Sequence, residues 1–456
     1  MITSPFRNRV IITVILLLLS VSLISVSCNS SRSPSEDRYR VPAPTSSIPP
    51  AETISPTKSL NQGEGPVLQG DKWTLWSDGT QLRGANIWQR IVVPDLDGPE
   101  FLGVSHIGPP YTQQDFNDLA KLGANYVNIS GPGLYTETPP YQLDPQVQNH
   151  LDQLLEMIYQ ADMFAVITFR TGPGRSDFTF YRDGAGDWFD PVLLREWIWE
   201  DQEAQDAWVE MWRYSAARYA DHPAVVGYDL MCEPHPGGIR EIWEPEDFFD
   251  QYSGSIVDWN QLYPRISSAI REVDTDTPIL LGGMGWSSIR WLPYLEPIND
   301  PRTVYIVHQY EPQTQYTHQN GFNPSNSYPD VFDLDWDGIP DSFDRDWLEK
   351  YFQTIIKFKN DRNLTMAVNE YGIVRWIPGG SEFLDDQLAL FEELGLNHAI
   401  WMWDPAWEPW TEEVNAMNYR FGTNPRNTSE DLPNPIMDIL IKYWSLNEIR
   451  PSNYHK

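Results

Sequence analysis

Beyond residue 66 the chain alternates short apolar runs with longer stretches whose apolar residues recur every third or fourth position. Apolar runs of roughly four to eight residues bounded by turn formers read as buried strands, and one-face spacing reads as amphipathic helix. By this rule strands are predicted over 81–86, 124–129, 164–169, 225–230, 278–283, 304–308, 366–370 and 399–403. Asp144 and Pro145 mark the start of a helix, because an aspartate side chain accepts the free N–H groups of the first turn and proline lacks one of them. The residues that follow, Val147, Leu151, Leu154, Leu155 and Ile158, fall on one helical face. Gly395 closes a second helix that begins near Ser381. Both helices separate predicted strands, and parallel strands need crossovers of this length. The repeated strand and helix units predict an α/β fold, a closed (β/α)8 TIM barrel with loop insertions. A doubly wound open sheet is the alternative, but no glycine-rich phosphate loop follows the first strand.

The first 66 residues break the alternation. Arg7 and Arg9 precede an uncharged run over 10–27, the arrangement of an export signal over residues 1–28. That run reaches the lower length limit of a spanning helix, so an uncleaved anchor is the alternative. It ends Ser25-Val26-Ser27-Cys28 and resembles a bacterial lipoprotein signal, with Ser25 where leucine is usual. Residues 29–66 are rich in Ser, Pro and Thr and bury too little to fold, which predicts a disordered tether ahead of a folded domain over 67–456. Cys28 and Cys232 are the only cysteines, too few for a disulfide framework. The 32 basic against 64 acidic residues leave a net charge of −32, which argues against nucleic acid or anionic lipid as a partner. Twenty Trp and 22 Tyr supply flat surfaces on which neutral sugar rings can stack. Membrane contact is expected only through the N-terminal signal or a lipid on Cys28, and the folded part is expected to be a monomer.

Chemistry in a barrel gathers where strands end at the C-terminal face. The fourth predicted strand runs into Cys232-Glu233-Pro234 and the seventh into Glu370-Tyr371-Gly372. Two carboxyl groups facing each other across a barrel mouth suit cleavage of a glycosidic bond, one protonating the leaving oxygen and the other attacking the anomeric carbon. These residues, with His308-Gln309-Tyr310 on strand six, Ile400-Trp401-Met402-Trp403 on strand eight and Leu82-Arg83-Gly84-Ala85-Asn86 on strand one, make residues 70–445 resemble glycoside hydrolase family 5, the cellulase-type retaining glycosidases. The resemblance implies Glu233 as acid and base, Glu370 as nucleophile and Tyr310 as its orienting partner. It also implies His308 in contact with substrate or Glu233, and Trp401, or less directly Trp403, as the floor of the sugar subsite.

Three positions depart from the family pattern. Cys232 replaces the asparagine that bonds the sugar 2-hydroxyl, and a thiol is a weak substitute. Asn128 stands where strand two carries arginine, and Arg170 lies where strand three ends in histidine, so Cys232, Asn128 and Arg170 are all candidate substrate contacts. Arg170 is a candidate to supply the missing cation from the neighbouring strand, a loop ion pair being the alternative. Trp88, Trp286, Trp376, Trp407 and Trp410 fall in or beside loops on the same rim. The expected activity is hydrolysis of O-glycosidic bonds in a neutral β-linked glucan or related polysaccharide by double displacement. The alternatives are a catalytically weak carbohydrate-binding barrel, or a transglycosylase or glycolipid glycosidase on the same fold.

An insertion near 312–345 carries Asp333, Asp335, Asp337, Gly338, Asp341 and Asp344 at the spacing of an EF-hand-type calcium loop, with the Ile339 carbonyl as a further ligand. An acidic solvated loop is the alternative. Calcium there is expected to be structural, with no cofactor needed for catalysis, and a helix over 346–359 is expected to anchor the insertion.

Overall fold

A computed structural model of the protein describes residues 70–93, 106–178, 193–235, 242–319, 321, 324–335, 337–405 and 412–454. The expected export signal, Cys28, the expected tether, Trp407 and Trp410 lie outside the described residues. Eight strands form the barrel: β1 (Arg83–Trp88), β2 (Tyr126–Pro132), β3 (Phe164–Thr171), β4 (Val225–Asp229), β5 (Ile279–Gly282), β6 (Thr303–Gln309), β7 (Thr365–Tyr371) and β8 (Asn397–Ile400). They pair in chain order and in parallel, and β8 closes on β1 through Arg83↔His398, Gly84↔Ala399 and Ala85↔Ile400. Gly84 lets β1 approach β2, since a Cβ there would come within 1.8 Å of the Tyr126 carbonyl oxygen. The fold is therefore a (β/α)8 TIM barrel, and each predicted strand overlaps one of its staves.

Helices α1 (Gln113–Lys121), α2 (Pro145–Gln160), α3 (Gln202–Tyr219), α4 (Trp259–Arg271), α5 (Gln353–Arg362), α6 (Gly380–Leu394) and α7 (Pro435–Trp444) cover the outside. Asp144 caps α2 by accepting from the N–H groups of Gln146 and Val147 at 2.9 and 3.2 Å, and Gly395 ends α6 at φ 66°. The crossover after β5 departs from the expected unit and contains only the 3-10 turn Leu292–Tyr294. Pro293, Pro297 and Pro301 remove N–H donors across this segment and leave no room for a full helix. The helix expected over 346–359 is split at Phe352 into Arg345–Tyr351 and α5.

Two apolar layers hold the barrel. An inner one contains Leu82, Phe164, Val166, Leu280, Val304 and Ile306, and it is closed from below by Trp76 of the short helix Thr74–Ser77. The Trp76 indole N–H donates to the Val226 carbonyl at 2.9 Å, and its ring meets Tyr126 edge-on at 6.2 Å. The outer layer lies between strands and helices and includes Leu154 and Leu155 of α2 and Trp208 and Trp212 of α3.

The β8 to β1 seam carries an ion pair. Arg83 donates to both Glu392 oxygens at 2.6 Å, and His398 Nε2 lies 3.3 Å from the same carboxylate. Burial alone would raise the Glu392 pKa, but these contacts outweigh it and hold the carboxyl down to about 2. A depressed carboxyl contributes stability that is complete above its ordinary titration range and is lost as pH falls towards the native value. Glu392→Gln is expected to lower stability at neutral pH by about 2 kcal/mol, allowing for partial exposure. Thermal melts of the variant should show a flatter acid limb below about pH 4.5 than those of the parent, and an unchanged acid limb would refute the assignment.

Candidate active site

Glu233 leaves β4 on a turn that places it at φ 51°, the left-handed region. A non-glycine residue there costs about 1–3 kcal/mol and persists only where its surroundings hold it. The buried Arg175 guanidinium provides that hold, donating to the carbonyls of Arg170 at 3.1 Å, Cys232 at 2.7 Å and Glu233 at 2.7 Å. The Cys232 N–H donates to the Phe169 carbonyl at 3.0 Å and ties the turn to β3. Opposite, the register of β7 shifts between Ala367 and Glu370 against β6, and beside Val368 against β8. This bulge lets the adjacent Asn369 and Glu370 both reach partners inside the barrel.

His308 of β6 stands between the two glutamates. Its Nδ1 is 2.8 Å from Glu233 Oε1 and 3.6 Å from Glu370 Oε1. The Tyr310 hydroxyl donates to Glu370 Oε1 at 2.8 Å, while buried Glu370 Oε2 has no hydrogen-bond partner among the described residues. Oxygens of both glutamates and a His308 ring nitrogen lie within 4.8 Å of one another. Burial disfavours the charged imidazole, yet the Glu370 and Glu233 carboxylates hold the His308 pKa up at about 9. Burial also pushes Glu370 up, with the Glu233 charge adding to it against the pull of His308. For Glu233 burial is outweighed by the His308 hydrogen bond and by the charges of His308, Arg170 and Arg175, which draw it down. The two carboxylates thus favour the charged form of the imidazole that stands between them.

These groups open into a cavity of about 500 Å³ lined by Trp88, Arg170, Trp286, His308, Tyr310 and Trp401 among others. Arg170 stacks its guanidinium 5.0 Å from the Trp401 ring centre and lies 3.7 Å from Asp177, so it lines the cavity and pairs with an acid at once. Trp403 is set apart from the cavity. Its N–H donates to the Asp115 carbonyl at 3.1 Å, and Arg420 covers its ring at 4.5 Å. Trp376 is also outside the lining and donates to the Gly321 carbonyl at 3.1 Å. Cys232 is buried, with its sulfur 3.9 Å from the Ser130 hydroxyl.

Asn128 sits below the glutamates in a closed polar belt. Its amide donates to Asn86 Oδ1 at 2.7 Å, and its carbonyl accepts from the Thr168 hydroxyl at 2.6 Å. Thr168 and Asn369 in turn donate to Asp229 at 3.3 and 2.9 Å, and Asn86 donates to the Asn369 carbonyl at 2.9 Å. The substrate contact expected of Asn128 is replaced by this framework, because both of its polar ends are engaged inside the barrel. Burial pushes Asp229 up to about 7 even against the His308 charge. Sequence reasoning missed Arg175, Asp229, Trp243 and Trp291. Nothing local marks Arg175, whereas Asp229 in a fully apolar strand was a visible signal.

In the acidic insertion, carboxylate oxygens of Asp333, Asp335 and Asp337 lie within 4.8 Å of one another. Gly338 turns at φ 86° and donates to Asp333 Oδ2 at 2.9 Å, while the enclosed Asp333 Oδ1 has no hydrogen-bond partner among the described residues. Asp344 caps the helix Arg345–Tyr351 by accepting from the Trp347 N–H at 3.1 Å, and Asp341 pairs with Phe332 in a two-stranded hairpin. Ile339 is exposed. The first three acids thus fit a hard cation, whereas Asp344 has one oxygen engaged elsewhere.

A model of the cellulase family, glycosyl hydrolase family 5, matches residues 92–407. Endoglucanase C of Acetivibrio thermocellus is 20% identical over 321 residues, covering 65% of this chain and 84% of that protein. A beta-xylosidase of Phanerodontia chrysosporium is 23% identical over 276 residues, covering 56% and 51%. Among solved structures, endoglucanase Cel5A from the hyperthermophilic Thermotoga maritima shares the fold with a TM-score of 0.56 at 16% identity, over 81% of this chain and 99% of that one. Since the family match runs across the strand ends that hold both Glu233 and Glu370, the chain belongs to glycosyl hydrolase family 5 and is a glycosidase.

Proposed function

We propose that this glycosidase is an exported, lipid-anchored enzyme that cleaves β-linked glucan or a closely related polysaccharide with retention of configuration. The observation that carries the reading is the facing of Glu233 and Glu370, whose oxygens approach within 4.8 Å. Retaining enzymes space their carboxyl groups about 5 Å apart, whereas inverting enzymes need roughly 6.5 Å or more to seat a water between them. The substrate class is supported by the endoglucanases among the relatives and by the indoles of Trp88, Trp286 and Trp401 in the cavity. Export is supported by the run over 10–27, and anchoring by Cys28 at its end.

In this reading Glu370 Oε2 attacks the anomeric carbon while Tyr310 holds Oε1 by its hydrogen bond. Glu233 delivers a proton to the leaving oxygen, drawing on the His308 imidazolium 2.8 Å away. Once Glu370 is esterified its charge is gone, and His308 remains neutral. Glu233, now a carboxylate, takes a proton from the water that attacks the glycosyl-enzyme. Hydrolysis regenerates ionised Glu370, and the proton returns from Glu233 to His308. We further propose that Asp333, Asp335, Asp337 and the Ile339 carbonyl hold a structural calcium ion, stiffening the insertion between β6 and β7.

Three outcomes test this. Glu370→Ala and Glu233→Ala should each lose at least about 10²-fold in turnover on polysaccharide, and the azide reactions of the two variants are run with an activated β-glycoside. Azide should yield the α-glycosyl azide from the first variant and the β-anomer from the second, and the reverse assignment would exchange the two products. Activity should fall as pH rises through about 9, where His308 loses its proton. In His308→Gln that alkaline limb should move down by a unit or more, because Glu233 must then hold the proton alone. Finally, calcium at about 100 times its Kd should stabilise the fold by about 2.7 kcal/mol. EDTA should reverse the rise in Tm and Asp333→Asn should abolish it, while an unchanged Tm would remove calcium from the account.

A further inference from the structure

Two carboxylates and an imidazole that face one another are also a set of metal ligands. His308 Nδ1 and oxygens of Glu233 and Glu370 lie within 4.8 Å of one another, held at the ends of separate barrel strands. Zinc bound tetrahedrally at about 2.0–2.2 Å sets neighbouring ligand atoms about 3.3–3.5 Å apart. The 3.6 Å between His308 Nδ1 and Glu370 Oε1 already matches that edge. The 2.8 Å between His308 Nδ1 and Glu233 Oε1 has to open by about 0.5 Å. Glu233 has the room to do so, with 12% of its side chain exposed against 4% for Glu370.

A second observation points to a cation independently of that spacing. Glu370 is 3% exposed and lines the cavity, and its Oε2 is buried without a hydrogen-bond partner among the described residues. A buried carboxylate oxygen with no donor carries a desolvation cost that a positive ion beside it offsets. Tyr310 meanwhile holds Oε1 at 2.8 Å, the kind of outer hydrogen bond that orients a ligating carboxylate. His308 Nε2 has no partner among the described residues, so the imidazole lacks the corresponding support. Loss of such support weakens a metal site by about 10–100-fold, which makes this an exchangeable site rather than a permanent one.

The donor set also selects the ion. One nitrogen and two carboxylates, with a cavity of about 500 Å³ leaving the remaining position to water, make the composition of an open zinc site. Calcium takes roughly six to eight oxygens and magnesium a full octahedron of them, and neither gains from an imidazole. The acids of the insertion offer oxygens alone, so the two places sort cations by chemistry. A doubly charged ion balances the two carboxylates, against the opposing charges of Arg170 and Arg175 around Glu233.

We propose that Glu233, His308 and Glu370 form an inhibitory site for a zinc-class divalent cation, which binds the free enzyme and excludes substrate. The ion takes the place of the proton on His308 Nδ1, which passes to solvent, and no covalent bond changes. While it is bound, Glu370 cannot attack and Glu233 cannot deliver a proton. The inhibition rests on the reading of these glutamates as the reacting pair, whereas the metal site does not.

Zinc chloride is titrated into the full chain by calorimetry in calcium-saturated buffer, which keeps the acidic insertion filled. One zinc per chain should bind. His308→Gln and Glu370→Gln should each weaken that binding at least about tenfold, and Asp333→Asn should leave it unchanged. Cobalt in place of zinc should give the parent a visible absorption band that His308→Gln loses. On β-glucan, zinc should raise KM without lowering kcat, a chelator should restore the parent value, and calcium at the same concentration should not inhibit. Zinc affinity unchanged in both His308→Gln and Glu370→Gln, or lost in Asp333→Asn, overturns the proposed site. Zinc bound with the expected losses but without effect on turnover leaves the metal site standing and overturns Glu233 and Glu370 as the reacting pair. Melting curves of each variant separate a lost fold from a lost ligand.

Discussion

Closure of the barrel is the constraint on which everything else depends. Once β8 pairs with β1 in parallel, all eight strands point the same way and their C-terminal ends share one rim. Side chains that are 137 positions apart, such as Glu233 and Glu370, are thereby brought face to face without any local contact between their segments. The closure itself is secured by small residues and buried polar pairs at the seam, with Gly84 admitting β2 and Arg83 joining β1 to Glu392 of α6. Trp76 fills the opposite end, so the cavity opens on the catalytic side above a packed base.

The interior beneath the site is polar, which is unusual for a barrel core and has a clear electrostatic use. Asn86, Asn128, Thr168, Asp229 and Asn369 exchange hydrogen bonds across β1, β2, β3, β4 and β7. A belt of mostly neutral groups gives the carboxylates above it no compensating cation from below. The positive charge comes from the side instead, from His308, Arg170 and Arg175. That arrangement favours a charged imidazole between two glutamates, and Arg175 simultaneously keeps the strained Glu233 turn in place.

Much of this is legible in the sequence. Continuous apolar runs with intervening amphipathic stretches are diagnostic of parallel strands buried on both faces, and Asp144 and Gly395 marked helix ends through capping rules that act within one turn. The two glutamates, His308, Tyr310 and Trp401 were visible because each follows or ends an apolar run. The misjudged residues share a cause. Asn128 and Trp403 also sit near strand ends, but their polar atoms found partners in the interior, and Asp344 was claimed as a helix cap. Whether a side chain at such a place meets substrate or scaffold depends on neighbours from other strands, and no spacing along one strand encodes them.

The sequence by itself determined most of the elements, their parallel order and the placing of two glutamates at facing strand ends, because hydrophobic periodicity, capping and strand-end position are local properties of the chain. Only the tertiary structure decided which oxygen of Glu370 Tyr310 engages, that His308 stands between the two glutamates, and that Arg175 rather than a neighbour of Glu233 secures its turn. It also decided that Trp243 and Trp286 form one surface, since their parallel faces come from two loops joined only through the fold. Those outcomes rest on distances of a few ångströms between residues far apart in the chain, and such distances exist only once the barrel has closed.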